Sequence, residues 1–303
     1  VKIIPVYKKM KIFLIFIFFL IAFMSGLSTG VYKHTPYELI KGLKFLSEEK
    51  IKFFYNRVSK FEKCEIEKTK EVYKNSLAFI GHAYGSPDTA SLNDFLSPNA
   101  EEFISKNSQK IKGVVFTGDV FSVPSLDKWN KLRTLAGNNL DIIIAPGNHD
   151  VLRPDSRDVF NMSEFGKRNY PIQFKVNNAT LIVEDSIVSQ WAVSRETINM
   201  SNMSNFKTVI IARHNSPIEE LLPIVNGSTG KSENLANIEK LTNSLDRDKS
   251  FFWIIGDGGA FRNLPRSKCL RYKNHTFLVN GLGQISGDSI ILYYKDVFFE
   301  YLL

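Results

Sequence analysis

The sequence predicts an α/β fold in which a pair of sheets, or sandwich, is flanked by helices. Three observations predict it. From Ser76 onward, short apolar runs rich in β-branched residues recur between Gly, Asp and Asn, as in SLAFI, IKGVVFTGDV, LDIIIAPGNHD, KTVIIARHNSP and SFFWIIGDGGAF; such runs read as buried strands. The early runs are separated by helix-like stretches such as SLDKWNKLRTLAG, which makes βαβ units. The later runs, FKVNNATLIVED, HTFLVNGLG and SIILYYKD, lie closer together, and no repeat or low-complexity tract interrupts the series.

What precedes this region has a different character. The basic stretch VKIIPVYKKMK, residues 1–11, runs into IFLIFIFFLIAFMSGLSTGV, residues 12–31, which carries no charge. That length spans a bilayer as a helix. Lys8, Lys9 and Lys11 place the N-terminal side in the cytoplasm, although Lys33, Lys41 and Lys44 follow on the far side. A start at Met10 would give MKIFLIFIFFL the look of a signal sequence, but no obvious A-x-A site follows, and an uncleaved signal-anchor is the favoured reading. In residues 32–75, Leu39, Leu43, Leu46 and Phe53 recur at helical spacing within a charged stretch. This segment is expected to be a juxtamembrane helical stalk. The expected organisation is a short basic tail (1–11), a single transmembrane signal-anchor (12–31), the stalk (32–75) and a globular domain (76–303) in the periplasm or outside the cell.

Composition narrows the function classes. The 303 residues are 44% hydrophobic, enough for a sizeable core, and 23% charged, which argues against wholesale disorder. The formal net charge of +8 suits an anionic substrate or a membrane surface, and equally the basic flanks of an anchor. No basic stripe is interleaved with aromatics, so no nucleic-acid partner is expected. Cys64 and Cys269 form no C-x-x-C pair, which argues against a cysteine zinc site. They stand either as a disulfide, which an oxidising compartment permits, or as two thiols.

The chemistry concentrates at the ends of the strand-like runs. Five of them close in ligand-type residues: Gly81-His82-Ala83-Tyr84, Gly118-Asp119, Pro146-Gly147-Asn148-His149-Asp150, Arg213-His214 and Gly256-Asp257-Gly258-Gly259. Polar residues at the C-terminal ends of adjacent strands converge on one crevice. Three of the five histidines, His82, His149 and His214, sit at such ends; His34 and His275 read as structural or solvated.

The order GD, GNHD, H and a closing GD-x-G, with each piece following an apolar run, resembles the calcineurin-like metallophosphoesterases over about residues 76–295. FTGDV and APGNHD are the most specific pieces. The resemblance implies a four-layer α/β/β/α sandwich, a hydrolase acting on phosphoric esters, and a divalent cation (Mn, Mg, Fe or Zn) at the edge of the sheets. It implies Asp119 as the metal-bridging carboxylate and Asn148, His214 and Asp257 as further ligands, with Asp257 standing where the family has an imidazole. His149 would act near the leaving group without binding metal. From the residues themselves, Asp150 reads as an orienting group for His149 or a neighbouring ligand, and Arg213 as a contact for a phosphoryl oxygen or a surface charge.

The chain departs from the family pattern at both ends. His82 and Tyr84 occupy the positions of the Asp and His of the first motif, and Asp257 and Gly259 those of the two histidines of the last. His82 replaces a lost ligand, or acts on phosphate without a metal, or is a packed and hydrogen-bonded remnant. Tyr84 suits a positioning or substrate-contacting hydroxyl better than a ligand. One metal site is therefore expected over two. The leading expectation is a membrane-anchored phosphoesterase acting on a phosphorylated small molecule, glycan or lipid of the envelope. The alternative is a catalytically degenerate member that binds a phosphorylated ligand or a protein partner.

Overall fold

A computed structural model of the chain describes residues 59–85, 94–225, 234–258, 267–283 and 288–303. The expected basic tail, the membrane segment and most of the stalk lie outside the described residues. Among the described residues, no helix is long and apolar enough to cross a membrane.

Among the described residues, thirteen strands form two mixed sheets. The six-stranded sheet has the order β2 (Glu67–Thr69), β13 (Val297–Leu302), β12 (Ser289–Tyr294), β3 (Leu77–Ile80), β4 (Gly113–Phe116), β5 (Asp141–Ile144). Its strands β3, β4 and β5 are parallel, with Phe79 opposite Val115 and Val115 opposite Ile143. The seven-stranded sheet runs β1 (Glu62–Cys64), β10 (Ser267–Tyr272), β11 (His275–Asn280), β9 (Ser250–Ile255), β8 (Thr208–Arg213), β7 (Ala179–Val183), β6 (Ile172–Val176). Here β7, β8, β9 and β11 are parallel. The end of the expected helical stalk is thus corrected: residues 62–64 and 67–69 are strands. Edge pairing with β10 and β13 satisfies the backbone groups on one side of each, and their charged side chains stay in solvent.

The buried runs form strands for the reason their composition suggests. GVVF of β4 and TVIIAR of β8 have β-branched side chains on both faces, and both faces are covered. Three apolar clusters do the covering. One lies between the sheets, where Leu77, Phe79, Val115 and Ile143 meet Leu181, Ile210, Ala212 and Ile254. A second packs the alternate residues Ala78, Ile80, Val114 and Phe116 against helices α1 (Pro98–Asn107), α2 (Leu126–Ala136) and α4 (Pro154–Met162) through Phe103, Trp129, Leu132 and Phe160. Between α2 and α4 lies the single-turn α3 (Asn148–Val151). The third cluster sets Val209, Ile211, Trp253 and Ile255 against α6 (Leu222–Val225) and α7 (Ile238–Asn243) through Ile224, Val225, Ile238 and Leu241. Between β7 and β8 runs α5 (Arg195–Met203). Its start and those of α1, α2 and α7 are set by side-chain caps: Ser194, Ser97, Ser125 and Asn237 each accept from a backbone N–H three residues on.

Cys64 and Cys269 are directly opposite in the β1–β10 ladder and form a disulfide, which resolves the two alternatives left open by the sequence. The bridge closes a loop of 205 residues and fixes a three-residue edge strand that has few ladder bonds of its own. Replacing both cysteines by serine is expected to destabilise the domain by about 2–4 kcal/mol, read as a lower denaturant midpoint on urea unfolding. Unchanged stability would show that the bridge contributes nothing to holding β1.

Candidate metal centre

The site lies where the C-terminal ends of β3, β4 and β5 in one sheet meet those of β8 and β9 in the other. Backbone bonds tie these ends together. His82 N–H donates to Gly118 O (3.1 Å), Ala145 N–H to Phe116 O (2.8 Å) and Asp257 N–H to His214 O (2.9 Å). The turns that follow are tight. His82 (φ 46°) and Asp119 (φ 54°) both sit in the left-handed region, a conformation that costs a non-glycine residue about 1–3 kcal/mol and concentrates at functional sites. Two glycines are dictated by contact. Gly118 has φ +91°, and a Cβ there would stand 2.4 Å from Nδ1 of His214; a Cβ on Gly147 would stand 2.3 Å from Oδ1 of Asp119.

Five side chains converge. Nε2 of His82 lies 3.6 Å from Oδ2 of Asp119 and 3.6 Å from Oδ1 of Asp257. Nε2 of His214 lies 3.5 Å from Oδ1 of Asp119, 3.7 Å from Oδ1 of Asp257 and 3.0 Å from Oδ1 of Asn148. His82, Asp119, His214 and Asp257 are buried, and Asn148 is half-buried. Nδ1 of His214 faces Thr117 O at 3.0 Å, so Nδ1 carries the hydrogen and the Nε2 lone pair faces the carboxylates in the neutral ring.

Two observations show that this set fits a cation. Donors each about 2.0–2.2 Å from one ion stand roughly 3–4 Å apart, which is the spacing of these groups, and the ligand atoms of His82, His214 and Asp257 all lie within 4.8 Å of one another. The second is His82. Both its ring nitrogens are buried and have no hydrogen-bond partner among the described residues. Burying such a group unsatisfied costs about 1–3 kcal/mol, and a shared cation would meet that demand at Nε2, the nitrogen that faces the two carboxylates. Two carboxylates, two imidazoles and an amide oxygen form a mixed N/O set of the kind that takes a divalent transition metal or Mg²⁺.

The electrostatics point the same way. Burial alone would push the His214 imidazole down, but the carboxylates of Asp119 and Asp257, with the bond to Thr117, outweigh it and raise its pKa. Burial, then the charges of Asp119 and Asp257, push the Tyr84 hydroxyl up, so it stays protonated at neutral pH.

The remaining expected residues take different places. His149 is exposed beside the cluster. Its backbone N–H donates to Oδ1 of Asp119 (3.0 Å), and its Nδ1–H donates to Ser122 O (3.0 Å), which leaves Nε2 for a ligand. Asp150 does not orient the His149 ring. Its carboxylate accepts from the N–H groups of Val120 (3.0 Å), Phe121 (3.4 Å) and Gly147 (2.9 Å), and so clamps the two loops that carry Asp119 and Asn148. Burial, with Asp119 next, pushes its pKa up; the bonds from Gly147 and Phe121 pull it back. Arg213 is not a phosphoryl contact. It is fully buried and bonded to Oε2 of Glu184 (2.8 Å), Asn215 O (2.8 Å) and Trp191 O (2.6 Å). Tyr84 is likewise fully buried, its ring packed on those of His82 and His149 at 5.4 and 5.3 Å, and offers no surface to a substrate. Gly259 lies outside the described residues. His275 is structural: it accepts from Trp253 Nε1 (3.2 Å), stacks on Phe251, and burial pushes its pKa down to about 4.

Three contributors carried no readable sequence signal as site residues. Thr117 and Ser122 act through backbone carbonyls, which any residue type supplies. Glu184 was visible as an acidic residue closing the apolar run LIVE, but its partner Arg213 lies 29 residues away.

No family model matches the chain, and no curated protein does. Among solved structures, the chain is similar to Vps29 of Chaetomium thermophilum, at 13% identity over 73% of this chain and 84% of that one, with a TM-score of 0.32. That overlap is too loose to define a family for this chain.

Two outcomes follow from the geometry. Because the folded-state pKa of His214 is raised, its contribution to the stability of the metal-free domain is fully present below its unfolded value of about 6.5 and is lost as pH rises through the folded value. A cation competes with that proton for Nε2, so the rise in Tm on adding Mn²⁺ should grow from about pH 5.5 to about pH 8. A constant or shrinking rise would exclude His214 as a ligand. Asp150→Asn puts an amide among three N–H donors and should cost about 1–3 kcal/mol, with weaker Mn²⁺ binding by calorimetry; wild-type stability would show that the clamp is dispensable.

Proposed function

We propose that the domain is a phosphoester hydrolase built on a single divalent cation. The observation that supports this is the buried convergence of His82, Asp119, Asn148, His214 and Asp257 beside an exposed histidine. The two mixed sheets with helices outside each are compatible with a four-layer metallophosphoesterase-like sandwich, and the motif order in the sequence resembles that family.

A cation held there would supply a Lewis acid that polarises a phosphoryl oxygen and makes water acidic enough to attack near neutral pH. The protein's own groups do the rest. Asp119 and Asp257 bring two negative charges into a buried site, and their cost is offset when a cation stands between them. His149 is held by Ser122 O with Nε2 turned outward; in its doubly protonated form Nε2–H donates to a phosphoryl or leaving oxygen. Attachment to the membrane through residues 12–31, with the domain in the periplasm or outside the cell, belongs to the same proposal, and the Cys64–Cys269 disulfide favours an oxidising compartment. Phosphorylated small molecules, glycans and lipids of the envelope are the substrates such a location offers.

One observation favours a second reading, a fold that binds a phosphorylated ligand without turnover. Tyr84, buried and protonated, stands where the family pattern has a second metal ligand.

The full-length chain in detergent separates the two. Elemental analysis should find about one cation per chain, and Mn²⁺ should support hydrolysis of p-nitrophenyl phosphate or its diester. Asp119→Asn should lose both metal and activity, whereas His149→Ala should keep the metal and lose activity by about 10²-fold or more. Equal rates for wild type and Asp119→Asn, with no metal bound, would sink the enzyme reading; bound metal without turnover would establish the binding one.

A further inference from the structure

A pocket of about 230 Å³ opens beside the cluster, shares Asn148 with it and is also lined by His149. That is room for about seven or eight water molecules, or for a single ring or a chain of several carbons. Two of its lining side chains are large, apolar and exposed: Val123 at 62% and Leu152 at 57%. Scattered exposed apolar residues are ordinary. These two are tied to His149. Leu152 lies three residues beyond it, bonded back to Asn148 O through its N–H, and Val123 directly follows Ser122, whose carbonyl holds the His149 ring. Pro124 and Val159 add to the apolar lining. The charged members, Arg153 and Asp155, are one of each sign, so the pocket carries no net charge that would select an ionic group.

We infer that this pocket is the leaving-group subsite, and that it selects phosphoesters of uncharged alkyl or aryl alcohols. The inference rests on the hydrolase reading for its chemistry: with a phosphoryl group held at a cation in the cluster, an ester oxygen directed to His149 would leave the alcohol beyond it to run over Val123 and Leu152. Each methylene that leaves water there contributes to binding, and His149 is the group within reach of the departing oxygen.

The test uses phosphonates, which cannot be hydrolysed, so that binding is read apart from turnover. Affinities of methyl-, butyl- and octylphosphonate for the Mn²⁺-loaded full-length protein are measured by calorimetry. Butylphosphonate should bind at least about tenfold more tightly than methylphosphonate, and the Val123→Ser/Leu152→Ser variant should flatten that dependence while retaining its Mn²⁺. Val188→Ser, which removes an equally exposed apolar side chain outside this pocket, should leave the dependence intact. A flat series in wild type, or a dependence unchanged in the double variant, overturns the subsite and leaves the metal-centred reading standing. No phosphonate binding at all overturns both. A chain-length dependence without turnover of any ester keeps the pocket as an alkyl-binding site and overturns both its leaving-group role and the hydrolase.

Discussion

The arrangement depends on the carboxylate of Asp150. It reaches no substrate-facing group, yet it accepts backbone N–H bonds from Val120 and Phe121 on one loop and from Gly147 on the next. Those loops carry Asp119 and Asn148, which come from different strands and have no covalent reason to keep a common register. A buried carboxylate with backbone donors on both sides supplies that reason. Loop positions a fraction of an ångström apart decide whether Asp119 meets both histidines, and the left-handed backbone at Asp119 persists only because its surroundings over-determine it.

Around this clamp the site gathers charge that the rest of the fold must tolerate. Asp119, Asp150 and Asp257 are all buried, and the nearest described cationic candidates are the imidazoles of His82 and His214. Arg213, directly before His214 in the chain, does not join them. Glu184 neutralises it, and the carbonyls of Asn215 and Trp191 occupy its remaining directions. An arginine free to swing into the site would compete with a cation for the same carboxylates. Locked to Glu184, it instead anchors the segment after β7 to the end of β8. The site is left acidic and able to hold a cation, while His149 is exposed beside it.

Much of this was legible in one dimension. A buried parallel strand is a run of β-branched residues, because both faces must be apolar, so SLAFI, GVVF, DIII, TVIIAR and FFWII announced themselves. Ligand-type residues placed directly after such runs must gather at one sheet edge, so His82, Asp119, Asn148, His214 and Asp257 could be named as one group. Two short strands escaped the same reasoning. Glu62–Cys64 and Glu67–Thr69 are polar edge strands, and their pairing partners lie more than 200 residues away; local pattern made that stretch the tail of a charged helix.

The sequence by itself determined which residues are available for chemistry and at which strand ends they stand, because strand burial and glycine turns are local matters of composition and spacing. Only the tertiary structure decided what each does. Arg213 and Asp150 looked like active groups and proved to be structural, because their partners are Glu184 and backbone N–H groups that no spacing rule identifies. Tyr84 looked like a contact and is enclosed. Cys64 and Cys269 became a bridge through a strand register that a separation of 205 residues conceals. His82, the most ambiguous residue in the sequence, became part of a cluster that could hold a metal, since only three-dimensional packing could show it buried between two carboxylates, its ring nitrogens without a hydrogen-bond partner among the described residues.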